Sequence, residues 1–247
     1  IVLWEDVFDK KLVKKMRQVD AEVVIMAGGK GTRLEPFTKV LPKPLIPIND
    51  KPVIQHIIES FTINGIKKFY LSLNYKGYIL KAFFKELKPS YEFEFIEEKT
   101  PLGTAGSLFY LKNNISKPFF ITNCDVIINI DYKSLYNFHI NNKFDITLVA
   151  SAKEYTIPYG TCILNKDGHL SSIKEKPSFD FLVNSGLYII NPSVLELIKE
   201  GAFYHITDLI SDAMKNKMKV GVFPIDDDEW VDIGQWAEYK KAIEKLN

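Results

Sequence analysis

The feature that most constrains this chain is an apolar stretch that runs directly into a glycine-rich turn. Residues 23–26 read Val-Val-Ile-Met, which is typical of a buried strand, and three glycines follow within the next five residues. Glycine lacks a Cβ, so successive backbone N–H groups can converge on an anion, and Lys30 and Arg33 add positive charge. The turn predicts a phosphate-binding loop at the end of a sheet strand, in a chain that binds a nucleotide.

The glycine spacing fits neither of the two common phosphate loops. A Walker A loop needs a further glycine about four residues before its Gly-Lys pair, where this chain has Val24 and Ile25. The G-x-G-x-x-G fingerprint of dinucleotide-binding folds is missed as well, because Gly28, Gly29 and Gly31 do not have that spacing. The turn is therefore a different kind of phosphate loop.

A lysine between two prolines follows the turn. Residues 41–48 read Leu-Pro-Lys-Pro-Leu-Ile-Pro-Ile, and Lys43 is the lysine. Each proline fixes its own φ and restricts the residue before it, so the backbone around Lys43 is stiff. We expect its side chain to be held in a restricted direction.

Size and charge exclude several classes of protein. The chain has 247 residues, 46% of them apolar, which suits one large α/β domain. The net charge of +1 gives no basic stripe for nucleic acid. Two cysteines, Cys124 and Cys162, lie too far apart for a redox or zinc pair, which predicts a reducing, cytoplasmic setting. The sequence has neither a run of about 18 apolar residues nor a basic-then-apolar leader, so we predict no membrane partner.

The pattern of apolar residues predicts alternating strands and helices. In the first half, strands are predicted over residues 66–73, 91–96, 119–122 and 146–150, and helices over 52–65, with Asn49 or Asp50 as cap, 77–87 and 132–141. The second half adds strands over residues 160–164, 170–174, 183–190 and 219–223, and helices over 192–199, 207–216 and from Trp236 onward. This order predicts an α/β fold with a Rossmann-like, mixed, mostly parallel sheet flanked by helices, and antiparallel additions in the second half.

Two motifs in this order resemble those of a known family. A-G-G-x-G-T-R-L at residues 27–34 and L-P-K-P-L-x-P-I at residues 41–48 are similar to motifs of the sugar-1-phosphate nucleotidyltransferases, the pyrophosphorylases that make nucleoside-diphosphate sugars. The resemblance covers residues 22–246. It implies a nucleotidyltransferase domain over residues 21–247, in which the first half of one mixed sheet binds the nucleotide and the second half binds the sugar.

The start of the chain is interpreted separately. Residues 5–19 have the pattern of a short amphipathic helix, and we interpret residues 1–20 as a linker-like helix. Overall similarity to bacterial guanylyltransferase-like members of the family, which carry a paired CBS regulatory module upstream, would account for such a linker. An ordinary N-terminal helix is the alternative.

Two aspartates are the predicted metal ligands. The implied reaction joins two anions by in-line attack on the α-phosphorus, so the site must neutralise charge and orient the substrates. Asp125 follows the apolar strand at the edge where open α/β sheets place ligands, although the family usually has glycine where this chain has Cys124. Asp232 lies in Trp-Val-Asp-Ile-Gly, which resembles the family's W-x-D-x-G segment. The pair suits Mg²⁺; otherwise Asp125 caps a turn and Asp232 caps the last helix.

The loop at residues 100–107 resembles the family's base-binding P-L-G-T-A-G loop. In the family, backbone groups at positions matching Leu102 and Gly103 read the edge of guanine, uracil or thymine. Glu97 and Glu98, just before the loop, either accept hydrogen bonds from a guanine edge or are solvated charges. The residues assigned to the nucleotide are Ala27, Gly28, Gly29, Gly31, Thr32, Arg33, Leu102, Gly103 and Asn123.

The sugar phosphate is assigned to motifs of the second half. Glu175 and Lys176 belong to an E-K-P motif, and the resemblance implies that Glu175 holds sugar hydroxyls while Lys176 binds the sugar's phosphate. Gly160, in a Y-G pair, and Asn184, in an N-x-G segment, are assigned to the same pocket. A surface strand of alternating charge is the alternative for the E-K-P segment.

We therefore expect an Mg²⁺-dependent enzyme that joins a nucleoside monophosphate from an NTP to a sugar-1-phosphate. GTP is the preferred nucleotide, with mannose-1-phosphate or a related sugar. The catalytic candidates are Arg33, Lys43, Asp125, Lys176 and Asp232. Uridylyl or thymidylyl transfer and a non-catalytic regulatory subunit of this fold are the alternatives, whereas a glycosyltransferase would need a D-x-D pair that the residues after Asp125 do not supply. The apolar faces of the last helices serve either the core or a second copy in a homo-oligomer.

Overall fold

The computed structural model describes residues 18–245. The predicted amphipathic helix over residues 5–19 lies outside this range except for Gln18 and Val19, which have no regular structure. The N–H of Val19 donates to the carbonyl of Asn64 at 3.0 Å, which fixes this end of the described chain beside the first helix.

Strands and helices alternate along the described chain. The strands are β1 (Val23–Met26), β2 (Pro47–Ile48), β3 (Lys51–Pro52), β4 (Lys68–Leu73), β5 (Glu92–Glu97), β6 (Phe119–Asn123), β7 (Val126–Ile128), β8 (Ile146–Thr156), β9 (Thr161–Leu164), β10 (Leu170–Lys174), β11 (Ser178–Ile190), β12 (Val220–Ile225) and β13 (Trp230–Asp232). The α-helices are α1 (Val53–Thr62), α2 (Gly77–Leu87), α3 (Tyr132–Asn142), α4 (Ile206–Lys215) and α5 (Trp236–Lys245). No helix within residues 18–245 combines the length and the apolar character needed to cross a bilayer.

Within the described residues, seven strands form the main sheet, in the order β12-β8-β11-β6-β1-β4-β5. β1 lies between β4 and β6 and runs parallel to both, while β5 runs parallel to β4 and β12 to β8. β11 runs antiparallel to both of its neighbours. The predicted mixed, mostly parallel sheet with antiparallel additions is confirmed. Because parallel strands end at the same edge, the turns after β1, β4 and β6 meet there.

β1 is apolar at every position because the sheet is covered on both faces. Val23 and Ile25 pack in the layer that contains the apolar face of α1, and Val24 and Met26 pack in the layer that contains α4. Strands buried on both faces are continuous apolar runs rather than alternating ones. The glycine turn therefore starts from one of the most enclosed strands of the molecule.

The last two helices direct their apolar faces into these layers. Leu209 and Ala213 of α4 are buried, and so are Tyr239 and Ala242 of α5. These faces were predicted to pack either in the core or against a second copy, and the buried residues named here pack in the core.

Two predicted helix features differ in the structure. The cap position of α1 is held by Pro52, because Asn49 and Asp50 form the tight turn between β2 and β3. The helix predicted over residues 192–199 is a short 3₁₀ segment, Pro192–Leu197. The backbone returns to an extended conformation at Ile198, which ends this segment.

β8 and β11 continue beyond the main sheet as an arm, which we define as residues 152–183. The strands predicted at residues 146–150 and 183–190 are therefore only the inner parts of Ile146–Thr156 and Ser178–Ile190. The hairpin of β9 and β10 completes the arm. No residue from 152 to 183 is buried.

The sequence did not predict β7 and β13, which pair as a short antiparallel ribbon. Asp232 lies opposite Val126, and Trp230 lies opposite Ile128. The N–H of Ile233 also donates to the carbonyl of Asp125 at 2.8 Å. This ribbon joins the segment after β6 to the segment before α5.

Candidate active site

The glycine turn forms one wall of a cavity of about 520 Å³ at the carboxyl edge of β1 and β6. The turn from Gly28 to Arg33 lines this cavity, together with Lys43, Asn123 and Asp125. Residues predicted to bind the nucleotide therefore share one space with three of the catalytic candidates, Arg33, Lys43 and Asp125. Ala27 lies behind the turn, where it is buried and its N–H donates to the carbonyl of Ser72 at 3.0 Å.

Of the three glycines of the turn, Gly31 has no room for a side chain. A Cβ at Gly31, whose φ is +67°, would lie 2.9 Å from Thr38 Cγ2 and 3.1 Å from Lys43 Cβ. A Cβ at Gly28 would lie 3.4 Å from Glu98 Oε1. Glycine at position 31 thus keeps the backbone close to Lys43, whereas a Cβ at Gly28 would make only ordinary van der Waals contacts.

Lys43 and Asp125 form an ion pair at this cavity. Lys43 begins the 3₁₀ segment Lys43–Leu45, and its residue is only 9% exposed. Its Nζ contacts Asp125 Oδ2, and both side chains are largely enclosed. The flanking prolines and this contact together restrict where the ammonium group can lie.

Asp232 lies beside Asp125 because the β7–β13 ribbon brings the two segments together. A Cβ at Gly234 would lie 2.9 Å from Asp232 Oδ1 and 3.3 Å from Asp125 Oδ2, so the two carboxylates flank one small glycine. Arg33 and both aspartates also line a smaller cavity of about 150 Å³. Burial raises the pKa of Asp232, and the charge of Asp125 raises it further, while the N–H of Gly234 and the charges of Lys43 and Arg33 lower it.

The donor set suits a hard divalent cation. Two carboxylates face each other, and the raised pKa of Asp232 reflects the enclosed position and neighbouring negative charge that a divalent cation would relieve. Within residues 18–245, no group of three or more His, Cys, Asp or Glu side chains could hold a metal ion. Magnesium fits such a site because it is commonly held by one or two carboxylates, with waters and substrate phosphates as the other ligands.

Glu97 and Glu98 have different surroundings. The Glu97 carboxylate pairs with Lys81 at the surface. Glu98 is 8% exposed and lines the large cavity, where it accepts hydrogen bonds from the hydroxyl of Ser72 and, at 3.1 Å, from the N–H of Leu102. Sequence reasoning treated the two glutamates alike, and only the structure shows that Glu98 belongs to the cavity.

The base loop is anchored through Leu102 and open at Gly103. Leu102 is buried, and its carbonyl accepts a hydrogen bond from the N–H of Tyr204 at 2.9 Å. Gly103 and Thr104 line the large cavity. After this loop the chain forms the 3₁₀ segment Gly106–Leu111.

The predicted sugar-phosphate residues of the arm lie apart from this group. Gly160, Glu175 and Lys176 are exposed, and Lys176 forms no ion pair within residues 18–245. Gly160 and Glu175 are neighbours, because a Cβ at Gly160 would lie 3.0 Å from Glu175 Oε2. A groove of about 470 Å³ between the arm and α5 includes Asp232 and Lys153. The base of the arm therefore borders the aspartates, while its outer residues do not contact them.

Asn184 is the predicted sugar residue that does lie at the centre. It lines the 150 Å³ cavity with Asn123 and Asp125, and its amide group exchanges hydrogen bonds with the hydroxyl of Tyr188 at 2.8 and 3.0 Å. Gly186, with φ +85°, has no room for a Cβ, which would lie 2.6 Å from Asn123 Nδ2. The contact between Gly186 and Asn123 therefore places Asn184, two residues before Gly186, near a residue predicted to bind the nucleotide.

Cys124 contributes to packing rather than to chemistry. Its side chain is 6% exposed, and burial raises the pKa of its thiol to about 12. A thiol with that pKa is protonated at neutral pH and is a poor nucleophile. This agrees with the reaction implied by the motifs, which needs no covalent intermediate.

An enclosed α/β sheet, a glycine turn and a facing pair of aspartates together form one candidate site of the kind that phosphoryl transfer requires. The profile of the family described as "Nucleotidyl transferase" matches residues 22–247, and the chain belongs to this family. The chain is 38% identical to mannose-1-phosphate guanyltransferase of Yarrowia lipolytica, over 71% of this chain and 50% of the relative. It is 35% identical to mannose-1-phosphate guanylyltransferase catalytic subunit beta of Drosophila pseudoobscura pseudoobscura, over 87% and 60%. The chain thus spans only about half to three fifths of these relatives.

Solved structures agree on the fold. HddC from Yersinia pseudotuberculosis superposes with a TM-score of 0.72 and 29% identity, covering 92% of this chain and all of HddC. A structure of HddC complexed with GMP-PN superposes with a TM-score of 0.71 and 27% identity, with the same coverage. The whole described sheet, rather than a fragment of it, therefore matches the fold of these proteins.

Proposed function

We propose that this protein transfers GMP from GTP to mannose-1-phosphate or a related sugar-1-phosphate and releases pyrophosphate. The observation that carries the proposal is the convergence of Arg33, Lys43, Asp125 and Asp232 around the glycine turn. The names of the relatives support guanine and mannose, and the GMP-PN complex of HddC supports a guanine nucleotide.

The arrangement suits a reaction between two anions. In-line displacement at a phosphorus needs orientation and neutralisation of charge more than covalent help. The N–H groups of the glycine turn and the Arg33 guanidinium would bind the triphosphate, and Lys43 would stabilise the charge that develops during transfer. Asp125 and Asp232 would hold Mg²⁺, which neutralises phosphate oxygens when it is bound.

Glu98 supports guanine over a pyrimidine base. Guanine presents two donors on its Watson–Crick edge, N1–H and the N2 amino group, whereas uracil and thymine present only N3–H. A carboxylate has about four acceptor positions, and Ser72 and Leu102 occupy two of those of Glu98. The other acceptor positions of the Glu98 carboxylate face a cavity that the base loop also lines, so Glu98 can accept hydrogen bonds from guanine. Gly103 contributes backbone to the same pocket, and Leu102 supports the loop from behind.

The sugar phosphate would enter from the arm side. Asn184 lies beside the aspartates, and the proximity of Glu175 to Gly160 supports a common patch for sugar hydroxyls. Lys176, at the end of the same segment, would provide the charge for the sugar's phosphate. The E-K-P motif supports this role of Lys176.

Compartment and assembly stay predictions. Cys124 and Cys162 are both free thiols, which supports a reducing compartment and hence the cytoplasm. An upstream CBS module and a homo-oligomer would be detected in the full-length protein by its domain content and by its mass in solution.

Pyrophosphate release tests the proposed activity directly. The protein is incubated with Mg²⁺, each of GTP, UTP, dTTP and CTP, and a panel of sugar-1-phosphates that includes mannose-1-phosphate. We expect release with GTP and mannose-1-phosphate or a related sugar, and none after chelation of Mg²⁺. Faster release with UTP or dTTP would replace guanylyl transfer by another reaction of the family. No release with any pair would favour the regulatory-subunit alternative.

A further inference from the structure

A segment from the second half of the chain is bound across the base loop. We call residues 202–206 the strap. Tyr204 donates its N–H to the carbonyl of Leu102 and accepts from the N–H of Ala105, both at 2.9 Å. The N–H of Ile206 donates to Thr104 Oγ1 at 2.9 Å, across 102 residues of sequence. These contacts pair the strap with the loop as two strands would pair.

Two glycines fix the register of this pairing. A Cβ at Gly103 would lie 2.5 Å from the carbonyl oxygen of Tyr204, and one at Gly106 would lie 2.4 Å from the carbonyl oxygen of Ala202. Both obstacles are backbone atoms, which cannot rotate away. The strap therefore holds one position relative to the loop.

The strap directs alternate side chains to different places. Tyr204 packs against the apolar layer that contains α4. Phe203 and His205, on either side of it, both line the 520 Å³ cavity with Gly103 and Glu98. Phe203 is 61% exposed, and its ring meets that of His205 edge to face, with centroids 4.8 Å apart and an interplanar angle of 83°.

The exposed ring of Phe203 offers a flat apolar surface inside this cavity. Exposed Phe is unfavourable in water, and its face is the surface on which a flat base stacks. The hydrogen bonds of the strap fix the backbone of Phe203, and the contact with His205 restricts its ring. Little ordering is then required when a base binds.

We infer that Phe203 is a stacking platform for the nucleobase and favours a purine over a pyrimidine. The inference rests on the proposed function, because it needs the nucleotide to occupy this cavity. It adds a specificity residue outside the glycine turn and outside the base loop. A purine offers a larger ring face than a pyrimidine, so removal of the Phe203 ring should weaken the binding of GTP more than the binding of UTP.

Binding measured by calorimetry separates this inference from the activity. Kd values for GTP and for UTP, with Mg²⁺ and without sugar phosphate, are compared for the wild type, Phe203→Ala, Phe203→Tyr and Tyr78→Ala. Loss of a base–aromatic stack should raise the Kd for GTP about tenfold in Phe203→Ala. We expect the Kd for UTP to rise less, and the thermal midpoint to stay unchanged because Phe203 is exposed. Phe203→Tyr keeps the ring and should keep the affinity. Tyr78 is a remote aromatic residue, 73% exposed on α2, and its removal should change neither Kd.

Each outcome decides a separate point. Wild-type affinity for GTP in Phe203→Ala would overturn the inference, and so would equal losses for GTP and UTP or an equal loss in Phe203→Tyr. Binding of GTP by the wild type without pyrophosphate release in the transfer assay would reject the proposed activity and leave the stacking result valid. If the wild type bound neither nucleotide, the proposed function and the inference would both fail.

Discussion

The residues around the glycine turn and the residues of the arm are held in position in different ways. Around the glycine turn, each functional side chain lies within two residues of a buried apolar residue of one core layer, and neighbouring strands end at one edge; these buried residues are Leu34, Leu45, Cys124 and Ile233. The arm is a ribbon without a buried residue between 152 and 183. Arg33, Lys43, Asp125 and Asp232 consequently converge, while Lys176 stays apart from them. A sequence motif next to buried residues therefore predicts where its side chains lie in the fold. A motif on an exposed ribbon predicts only which residue types are present.

The largest expected effect is at the aspartate pair. Asp125→Asn should lower kcat/KM about a thousandfold, because it removes a charged ligand of the proposed Mg²⁺ and the partner of Lys43, and metal-assisted charge stabilisation contributes several kcal/mol. Steady-state pyrophosphate release measures the loss. Asp167→Asn, in the exposed turn of the arm, makes the same chemical change and should leave the rate within twofold. A small loss in Asp125→Asn would place the reaction elsewhere.

A pair of glycine variants compares the two regions directly. Gly103 and Gly168 have φ values of +78° and +83°, but of the two only Gly103 has backbone atoms within 4 Å of the position that an added Cβ would take. Gly168→Ala should lower the free energy of unfolding by about 1–2 kcal/mol, because alanine is strained in a left-handed backbone conformation. Gly103→Ala should cost about 1–3 kcal/mol more, because it overpacks against Tyr204.

Thermal denaturation measures the difference between these two variants. We expect Gly103→Ala to melt several degrees below Gly168→Ala, since about 1 kcal/mol shifts the midpoint by about 2–4 °C in a chain of this size. Equal midpoints would mean that the strap does not restrain the base loop.

Lys176→Ala tests whether the arm reaches the reaction. If Lys176 binds the sugar's phosphate, kcat/KM for the sugar phosphate should fall about tenfold, the value of one charge-assisted hydrogen bond. The KM for GTP should stay unchanged. Lys174→Ala removes the same charge two residues away and should have little effect. Identical kinetics for Lys176→Ala and the wild type would confine the site to the sheet half.

The smallest expected effect is a pH dependence of stability. Burial lowers the pKa of His139, whose ring nitrogens lie 2.8 Å from Thr147 Oγ1 and 3.1 Å from Asn191 Oδ1. As the pH falls below about 6.5, the unfolded chain takes up a proton before the folded chain does, so stability is present above that pH and is lost below it. We expect the thermal midpoint to fall by about 2 °C between pH 7 and pH 5.5.

Two histidine variants assign that effect. His139→Gln should flatten the slope of the midpoint against pH, even though it lowers the midpoint itself. His169→Asn, in the exposed turn of the arm, should leave the slope unchanged. A slope that persists in His139→Gln would assign the titration to another group.

The fold class was predictable because its signals are local. Apolar runs, helix periodicity and glycine turns identified the mixed sheet, and the position of Asp125 after β6 followed from the rule that ligands bind at carboxyl ends of strands. The outer parts of β8 and β11 were missed, because an exposed ribbon has no consistent apolar alternation. β7 and β13 have three residues each, which is too short for any periodicity.

The candidate site was only partly predictable for a related reason. The juxtaposition of Asp125 and Asp232 depends on the β7–β13 pairing, which no local pattern reports. The strap was missed entirely, since its contacts with the base loop join distant parts of the sequence. Phe203 and His205 therefore had no signal beyond their residue types. Glu98 differed from Glu97 only by the direction of its side chain.

The β7–β13 ribbon also has a consequence for how the protein is made. Within the described residues, translation delivers the glycine turn first, Asp125 next, and β13 with Asp232 well after both. A nascent polypeptide still on the ribosome can thus expose the phosphate loop while half of its carboxylate pair has not been synthesised. The two carboxylates can therefore face each other only after β13 has been synthesised and has paired with β7.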